Sequence, residues 1–270
     1  MKTNSKFIIA ISFILFVIAF GVLVTDTNQR KATIATSSVA LSNKKIGWGI
    51  KRVEHHEQPD VGSINKKILD TYDGIYMGNK EKKIVYLTFD MGYEAGYTEK
   101  ILAVLKENGV KATFFITAHY LNTQPDLVKK MIDEGHIVGN HTVNHKSMPD
   151  LTENQIKSEV MNFHTAIYEK FGYEMKYLRP PKGEYSERTV AFTNSLGYKT
   201  VMWSLAYDDW DENKQGREEY GKKKVIDNVH PGAVILLHGT SKDNANILDY
   251  CIKEIKKMGY EWKSLDEFQR

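Results

Sequence analysis

The chain has 270 residues, 37 Lys and Arg against 34 Asp and Glu for a formal charge of +3, with 41% hydrophobic and 26% charged residues. That balance is ordinary for a folded domain; it excludes a disordered chain, a collagen-like repeat and a multi-pass membrane protein, and it leaves no electrostatic footprint for nucleic acid. The single cysteine, Cys251, excludes an internal disulfide framework and a thiolate-rich zinc cluster.

Residues 7–24 form a run of 18 uncharged, largely apolar positions preceded by Lys2 and Lys6. The run is long for a cleavable leader and just long enough to cross roughly 30 Å of hydrocarbon as a helix, so residues 1–24 read as a signal peptide or a membrane anchor. Ala19-Phe20-Gly21 offers a small-x-small cleavage site, and either fate exports the remainder, because the two lysines stay inside. Residues 25–43, rich in Thr, Ser, Asn and Ala, read as a flexible spacer. The folded part is residues 44–270, with an N-terminal extension over 44–83.

Beyond Lys83, short β-rich apolar runs alternate with amphipathic stretches, the pattern of an α/β domain. The predicted strands are 84–90, 112–117, 136–141, 177–181, 199–206 and 233–239, with 260–265 as a seventh. Helices are predicted to start near Thr98, Gln124, Thr152, Ser186, Tyr220 and Asn244, and Gln155 completes a capping box with Thr152. Lys222-Lys223-Lys224 reads as a solvated helix face. Strands this uniformly apolar belong to a parallel sheet, closed as a barrel or open and doubly wound.

Asp90, His141, Arg179, Asp209 and His238 all fall at or within a few residues of the C-terminal end of a predicted strand, the face on which a parallel barrel builds its site. His141 and His145 are spaced i and i+4, so a helical turn would aim both imidazoles at one divalent cation. Asp90, with Gly92 just behind it, has the position of a general base; Arg179 offers a permanently charged fork to pair with it, on a backbone stiffened by Pro180 and Pro181. His238 ends an apolar strand as a candidate general acid, and Asp209 could hold one of its ring nitrogens. Tyr207, Trp203 and Trp210 read as an aromatic wall for a sugar ring, whereas His55, His56 and His164 lack such companions and read as structural or surface residues.

Taken in order, Thr88–Gly92 (TFDMG), His141–His145 (HTVNH), Arg179–Gly183 (RPPKG), Asp208–Trp210 (DDW) and Leu236–Gly239 (LLHG) resemble the blocks of the polysaccharide deacetylases of the NodB-homology class, carbohydrate esterase family 4. The resemblance runs from about Trp48 to the end; Trp48 to Arg52, His56, Pro59-Asp60, residues 93–98 and residues 243–245 are similar to the subgroup that removes the N-acetyl group from muramic acid in spore cortex, the step leading to muramic δ-lactam. It implies a distorted, incomplete (β/α) barrel of about seven parallel strands over residues 84–270, preceded by the N-terminal hydrophobic helix. It also implies Asp90 as catalytic base, His238 as acid with Asp209 behind it, Arg179 steadying the base, and His141 and His145 as ligands of a divalent cation, zinc with manganese or cobalt as alternatives. Tyr93, Pro180, Lys182, Tyr207 and Trp210 are expected against the substrate. The implied partners are peptidoglycan glycan strands and a membrane through residues 7–24, and the implied location is outside the cytoplasm, in the cortex region of a forming spore.

The chain departs from the family at Met91, where a metal-binding aspartate is usual. A thioether is a weak ligand for such an ion, which leaves open whether the ion is held by the two histidines with Asp90 and water or only loosely, with Glu94 as a substitute ligand. Two other readings stay open: deacetylation of N-acetylglucosamine in peptidoglycan or chitin-like oligomers, and a catalytically inactive wall-binding module.

Overall fold

The computed structural model describes residues 40–270; the apolar run of residues 7–24 and the spacer up to residue 39 lie outside the described residues. Among the described residues no helix is long and apolar enough to cross a membrane. The strands are β1 (Ile46–Gly47), β2 (Ile84–Met91), β3 (Thr113–Ile116), β4 (Ile137–Asn140), β5 (Tyr177–Leu178), β6 (Glu184–Tyr185), β7 (Lys199–Thr200), β8 (Val234–His238) and β9 (Glu261–Lys263). The helices are α1 (Ser63–Thr71), α2 (Thr98–Asn108), α3 (Ala118–Thr123), α4 (Pro125–Asp133), α5 (Glu153–Phe171), α6 (Glu187–Ser195), α7 (Glu218–Asn228) and α8 (Lys242–Lys257).

Side chains alternate across a strand, and β2 uses the two directions for two cores. Val85, Leu87, Phe89 and Met91 join a large cluster with the helices outside the sheet. Ile84 and Tyr86 point the other way, with Phe115, Ile137, Tyr177, Val201 and Val234, into the hollow of the sheet. Burial on both faces is why β2 reads as an unbroken apolar run, and only Asp90 of its eight residues is not fully buried. By the same alternation Asp90 continues the inward row and emerges at the mouth of the hollow, whereas Met91 turns to the helices.

Six strands run in the order β7-β5-β4-β3-β2-β8, all pairings parallel, and β9 pairs with the start of β2. The sheet curls without closing. The stretch predicted as one strand over 199–206 is divided between its two edges: Lys199–Thr200 pairs with β5, Val201 bridges Ile75, and Leu205 reaches Ile235 on β8. The strand predicted over 177–181 shrinks to Tyr177–Leu178, because Pro180 and Pro181 have no N–H for a ladder and residues 181–183 turn as a short 3-10 helix. The capping box of Thr152 and Gln155 forms and opens the 19-residue α5.

The extension contains α1 and β1, neither of which was anticipated. Only Ile68 and Leu69 of α1 are buried, too few to give a periodic stripe. They join Val61, Tyr76, Tyr185, Val190 and Met202 in a satellite core against which Trp48 packs, and β1 pairs antiparallel with β6, which clamps the extension to the loop after β5. Ser42 accepts a bond from the Arg188 amide and Asn43 donates to the Pro149 carbonyl, both inside the stretch read as spacer.

Candidate active site

Asp90 near the end of β2 is the register partner of His238 at the end of β8, so strand pairing alone sets the two residues side by side on one face, about 4.8 Å apart along the hydrogen-bonding direction. Arg179, the first residue past β5, is fully buried beside them. Its guanidinium reaches Asp90 Oδ1 and Thr88 Oγ1 at 2.8 Å each, and its Nε donates to the Val201 carbonyl at 3.2 Å. It also lies 4.2 Å over the Phe115 ring, and that ring has room only because residue 139 is glycine, where a Cβ would stand 2.5 Å from it. Burial would push the Asp90 carboxyl up, but the Arg179 charge, with His141 and His238 alongside, outweighs it and holds the group below the usual carboxylate range.

His141 follows β4, and its Nδ1 is 2.8 Å from the Arg179 carbonyl. A carbonyl only accepts, so Nδ1 carries the proton and Nε2 keeps its lone pair. His145 lies in a loop, not on the helical turn that its spacing predicted: Thr142 and His145 take left-handed angles, with φ of 69° and 54°. Glu159 of α5 holds this loop, its carboxylate accepting from the Asn144 amide and side-chain nitrogen at 2.7 Å each. The loop still brings the imidazoles together, with Nε2 to Nε2 at 3.1 Å and Asp90 Oδ2 3.6 Å from His141 Nε2. Burial keeps both rings neutral: it pulls His141 down against the attraction of Asp90, and takes His145, helped by neighbouring His141, to about 4.

Ring nitrogens 3.1 Å apart have the spacing of neighbouring ligands on one ion at about 2.0–2.1 Å from each. With Nδ1 of His141 anchored, the pair fits a divalent cation as a two-histidine seat next to a carboxylate. Among the described residues no three of His, Cys, Asp or Glu close around such a point. Met91 supplies no ligand, because it is buried on the other face of β2, where its Sδ would stand 2.0 Å from a Cβ built on Gly239. Glu94 is also turned away. Its Oε1 accepts from the Gly96 amide at 2.6 Å and its Oε2 bonds the Thr98 and Tyr120 hydroxyls, so both oxygens are engaged at the start of α2; the expectation of a substitute ligand there is corrected.

His238 Nδ1 lies 2.7 Å from Asp209 Oδ1, and its backbone amide donates to Asp209 Oδ2 at 2.8 Å. Asn244 on α8 donates to Asp209 and to the His238 carbonyl, and accepts from the Tyr207 hydroxyl. Burial would pull His238 down, but the Asp209 charge and hydrogen bond outweigh it and hold the imidazole above its ordinary value. Nε2 is the nitrogen left for chemistry.

Asp90, His141, His145 and His238 line a cleft of about 1340 Å³ together with Tyr93, Lys182, Trp203, Tyr207 and Trp210. Trp210 and Tyr93 are exposed, and Tyr207 is buried in a T-shaped contact with Tyr220. Pro180 is not a lining residue: it precedes the turn that carries Lys182, and so positions rather than contacts. Thr88, Glu159 and Asn244 hold the reactive groups, and the sequence reading assigned none of them a role. One signal was available. Glu159 interrupts the buried stripe Ile156, Val160, Phe163 and Ile167 of α5, where an acid needs a reason. His56 and His164 make structural bonds to the Val229 carbonyl and the Tyr198 hydroxyl.

Residues 77–201 match the family model described as Polysaccharide deacetylase. The chain is 44% identical over 234 residues to the peptidoglycan-N-acetylmuramic acid deacetylase PdaA of Bacillus subtilis, covering 86% of this chain and 89% of that protein. The solved structure of Bacillus subtilis PdaA, a family 4 carbohydrate esterase, aligns with a TM-score of 0.82 over 84% of this chain and 98% of the other. A family 4 carbohydrate esterase from Bacillus anthracis, 42% identical, aligns with a TM-score of 0.73 over 85% and 98%. Sequence, curled sheet and cleft agree, and the chain belongs to the polysaccharide deacetylases of carbohydrate esterase family 4.

Proposed function

We propose that this enzyme hydrolyses the acetamide of N-acetylmuramic acid in peptidoglycan glycan strands, releasing acetate and leaving a free amine, the step before muramic δ-lactam in spore cortex. The register pairing of Asp90 with His238 carries the reading, because it sets an ionised carboxylate beside an imidazole that favours its proton, in one cleft. The similarity to PdaA supports the choice of sugar.

An amide is a poor electrophile with a poor leaving group, so hydrolysis needs help at both ends. Asp90 takes a proton as a water oxygen adds to the acetyl carbon, and Arg179 keeps the carboxylate charged until then. His238 gives its Nε2 proton to the amine nitrogen as the carbon–nitrogen bond breaks, while Asp209 holds Nδ1. His141 and His145 would hold a divalent cation, zinc with manganese or cobalt as alternatives, which when bound supplies Lewis-acid polarisation of the acetyl carbonyl. Tyr93, Lys182, Tyr207 and Trp210 would orient the glycan. The proposal includes export, secreted or anchored through residues 7–24, supported by the 18 uncharged positions that follow Lys6.

Digestion of treated glycan strands and mass spectrometry of the fragments tests the reading. Chelator-sensitive loss of acetyl from muramic acid is expected. Loss from N-acetylglucosamine alone, or tight binding with no acetate released, overturns it in favour of one of the two other readings.

A further inference from the structure

The extension brings a guanidinium to the cleft that the acetamide chemistry does not use. Arg52 lines the same cleft as Asp90 and His238, and its Nη2 donates to the Ala206 carbonyl at 2.6 Å, which tethers one end of the fork at the rim. Among the described residues no carboxylate lies within ion-pair distance of it. Arg179 and Arg217 are each paired, with Asp90 at 2.8 Å and Asp208 at 3.1 Å. Asp208 also lines the cleft, yet its carboxylate is taken by Arg217 and the Tyr220 hydroxyl, leaving Arg52 with open donors. A guanidinium tethered through one nitrogen and without an internal carboxylate has donors free for a planar anion that arrives with the ligand. Lys182, the other cation of the cleft, is a flexible point charge near His145 and lacks that geometry.

N-acetylglucosamine and N-acetylmuramic acid carry the same acetamide. They differ by a lactyl ether on the neighbouring ring carbon, which ends in a carboxylate. We propose that Arg52 determines specificity for muramic acid by pairing its guanidinium with that carboxylate. This rests on the function proposed above. A carboxylate of an attached stem peptide has the same chemistry, whereas a lactyl group held in amide linkage has no charge to pair.

The test uses the full chain and three glycans: muramic strands freed of stem peptides, the same strands with the lactyl carboxyl converted to the amide, and strands that retain their peptides. In the wild-type enzyme kcat/KM should favour acid over amide by about 10- to 100-fold, mainly through KM, the scale of a charge-assisted pair. Arg52→Gln should bring that ratio close to one, and Arg52→Lys should keep part of it. A ratio unchanged in Arg52→Gln, or a wild-type ratio of one, overturns the proposal and leaves Arg52 as a staple to Ala206. Arg52 dependence seen only on peptide-bearing strands overturns the lactyl assignment in favour of the stem carboxylate. If no muramic strand yields acetate, the proposed function fails by itself, and calorimetric Kd values for the same acid and amide strands, with and without Arg52→Gln, decide the pairing.

Discussion

Replacing Asp209 by Asn changes one atom and reverses the hydrogen-bonding character of one end of the site. Asp209 is 2% exposed and accepts from the His238 amide at 2.8 Å, from His238 Nδ1 at 2.7 Å and from Asn244 Nδ2. Asparagine has a single acceptor oxygen for three donors, so its amide nitrogen faces either the donors at Oδ2 or the His238 Nδ1, which can accept from it only without its proton. One or two charge-assisted bonds are lost at about 1.5–3 kcal/mol each, so thermal melting should show a loss of about 1.5–6 kcal/mol. The pH dependence has a definite sign. His238 titrates higher in the folded state, so its stabilisation is complete below the unfolded imidazole value and fades as pH rises through the folded one; in Asp209→Asn that component should vanish. Activity should move in the same direction. Without Asp209 burial prevails, the imidazole falls below its ordinary value, and the acid has lost its proton near neutrality. Acetate release near neutral pH should drop about 10²- to 10⁴-fold, the contribution of a general acid, and the alkaline limb of the kcat/KM profile should shift to lower pH. An alkaline limb that stays in place, with kcat within about threefold of wild type, would refute Asp209 as the group that keeps His238 protonated.

Arg179→Met leaves the Asp90 carboxylate buried without its partner, so urea unfolding should register a loss of about 3–5 kcal/mol. Burial then pushes Asp90 up, and the acid limb of the activity profile should move to higher pH; an unmoved limb argues against Asp90 as the base. His145→Ala removes half of the two-histidine seat, so zinc retained after dialysis should fall well below wild type, and zinc that restores a chelator-stripped wild-type enzyme should not restore the variant; equal zinc content would sink the seat. Gly239→Ala places a Cβ 2.0 Å from Met91 Sδ and should cost about 1–3 kcal/mol. Met91→Ala should cost about 2–5 kcal/mol alone but less in the Gly239→Ala background, and strict additivity of the two changes would rule out the contact.

Asp90, His141, Arg179 and His238 were legible as neighbours because a parallel α/β sheet sends the C-terminal ends of its strands to one rim; Asp209 reaches His238 from the irregular stretch after β7. Helix starts were equally legible where a local bond specifies them, as Gln155 does for Thr152. Local rules lost their grip wherever the chain left regular structure. Spacing in His141–His145 implied a helical turn, but the left-handed backbone at Thr142 and His145 and the carboxylate of Glu159, carried on another helix, set the loop. Glu94 was a plausible ligand by position until Thr98 and Tyr120 claimed its oxygens.

What the amino-acid order determined by itself was the α/β alternation and the set of chemical groups delivered to the rim, since each depends on hydrophobic pattern over neighbouring residues. Only the tertiary structure decided how those groups pair: Asp90 with Arg179, His238 with Asp209, Met91 against Gly239 and Arg52 against Ala206. Hydrogen bonds and packing contacts act over a few ångströms in space, and residues 89 or 154 positions apart come within that range only when the sheet curls.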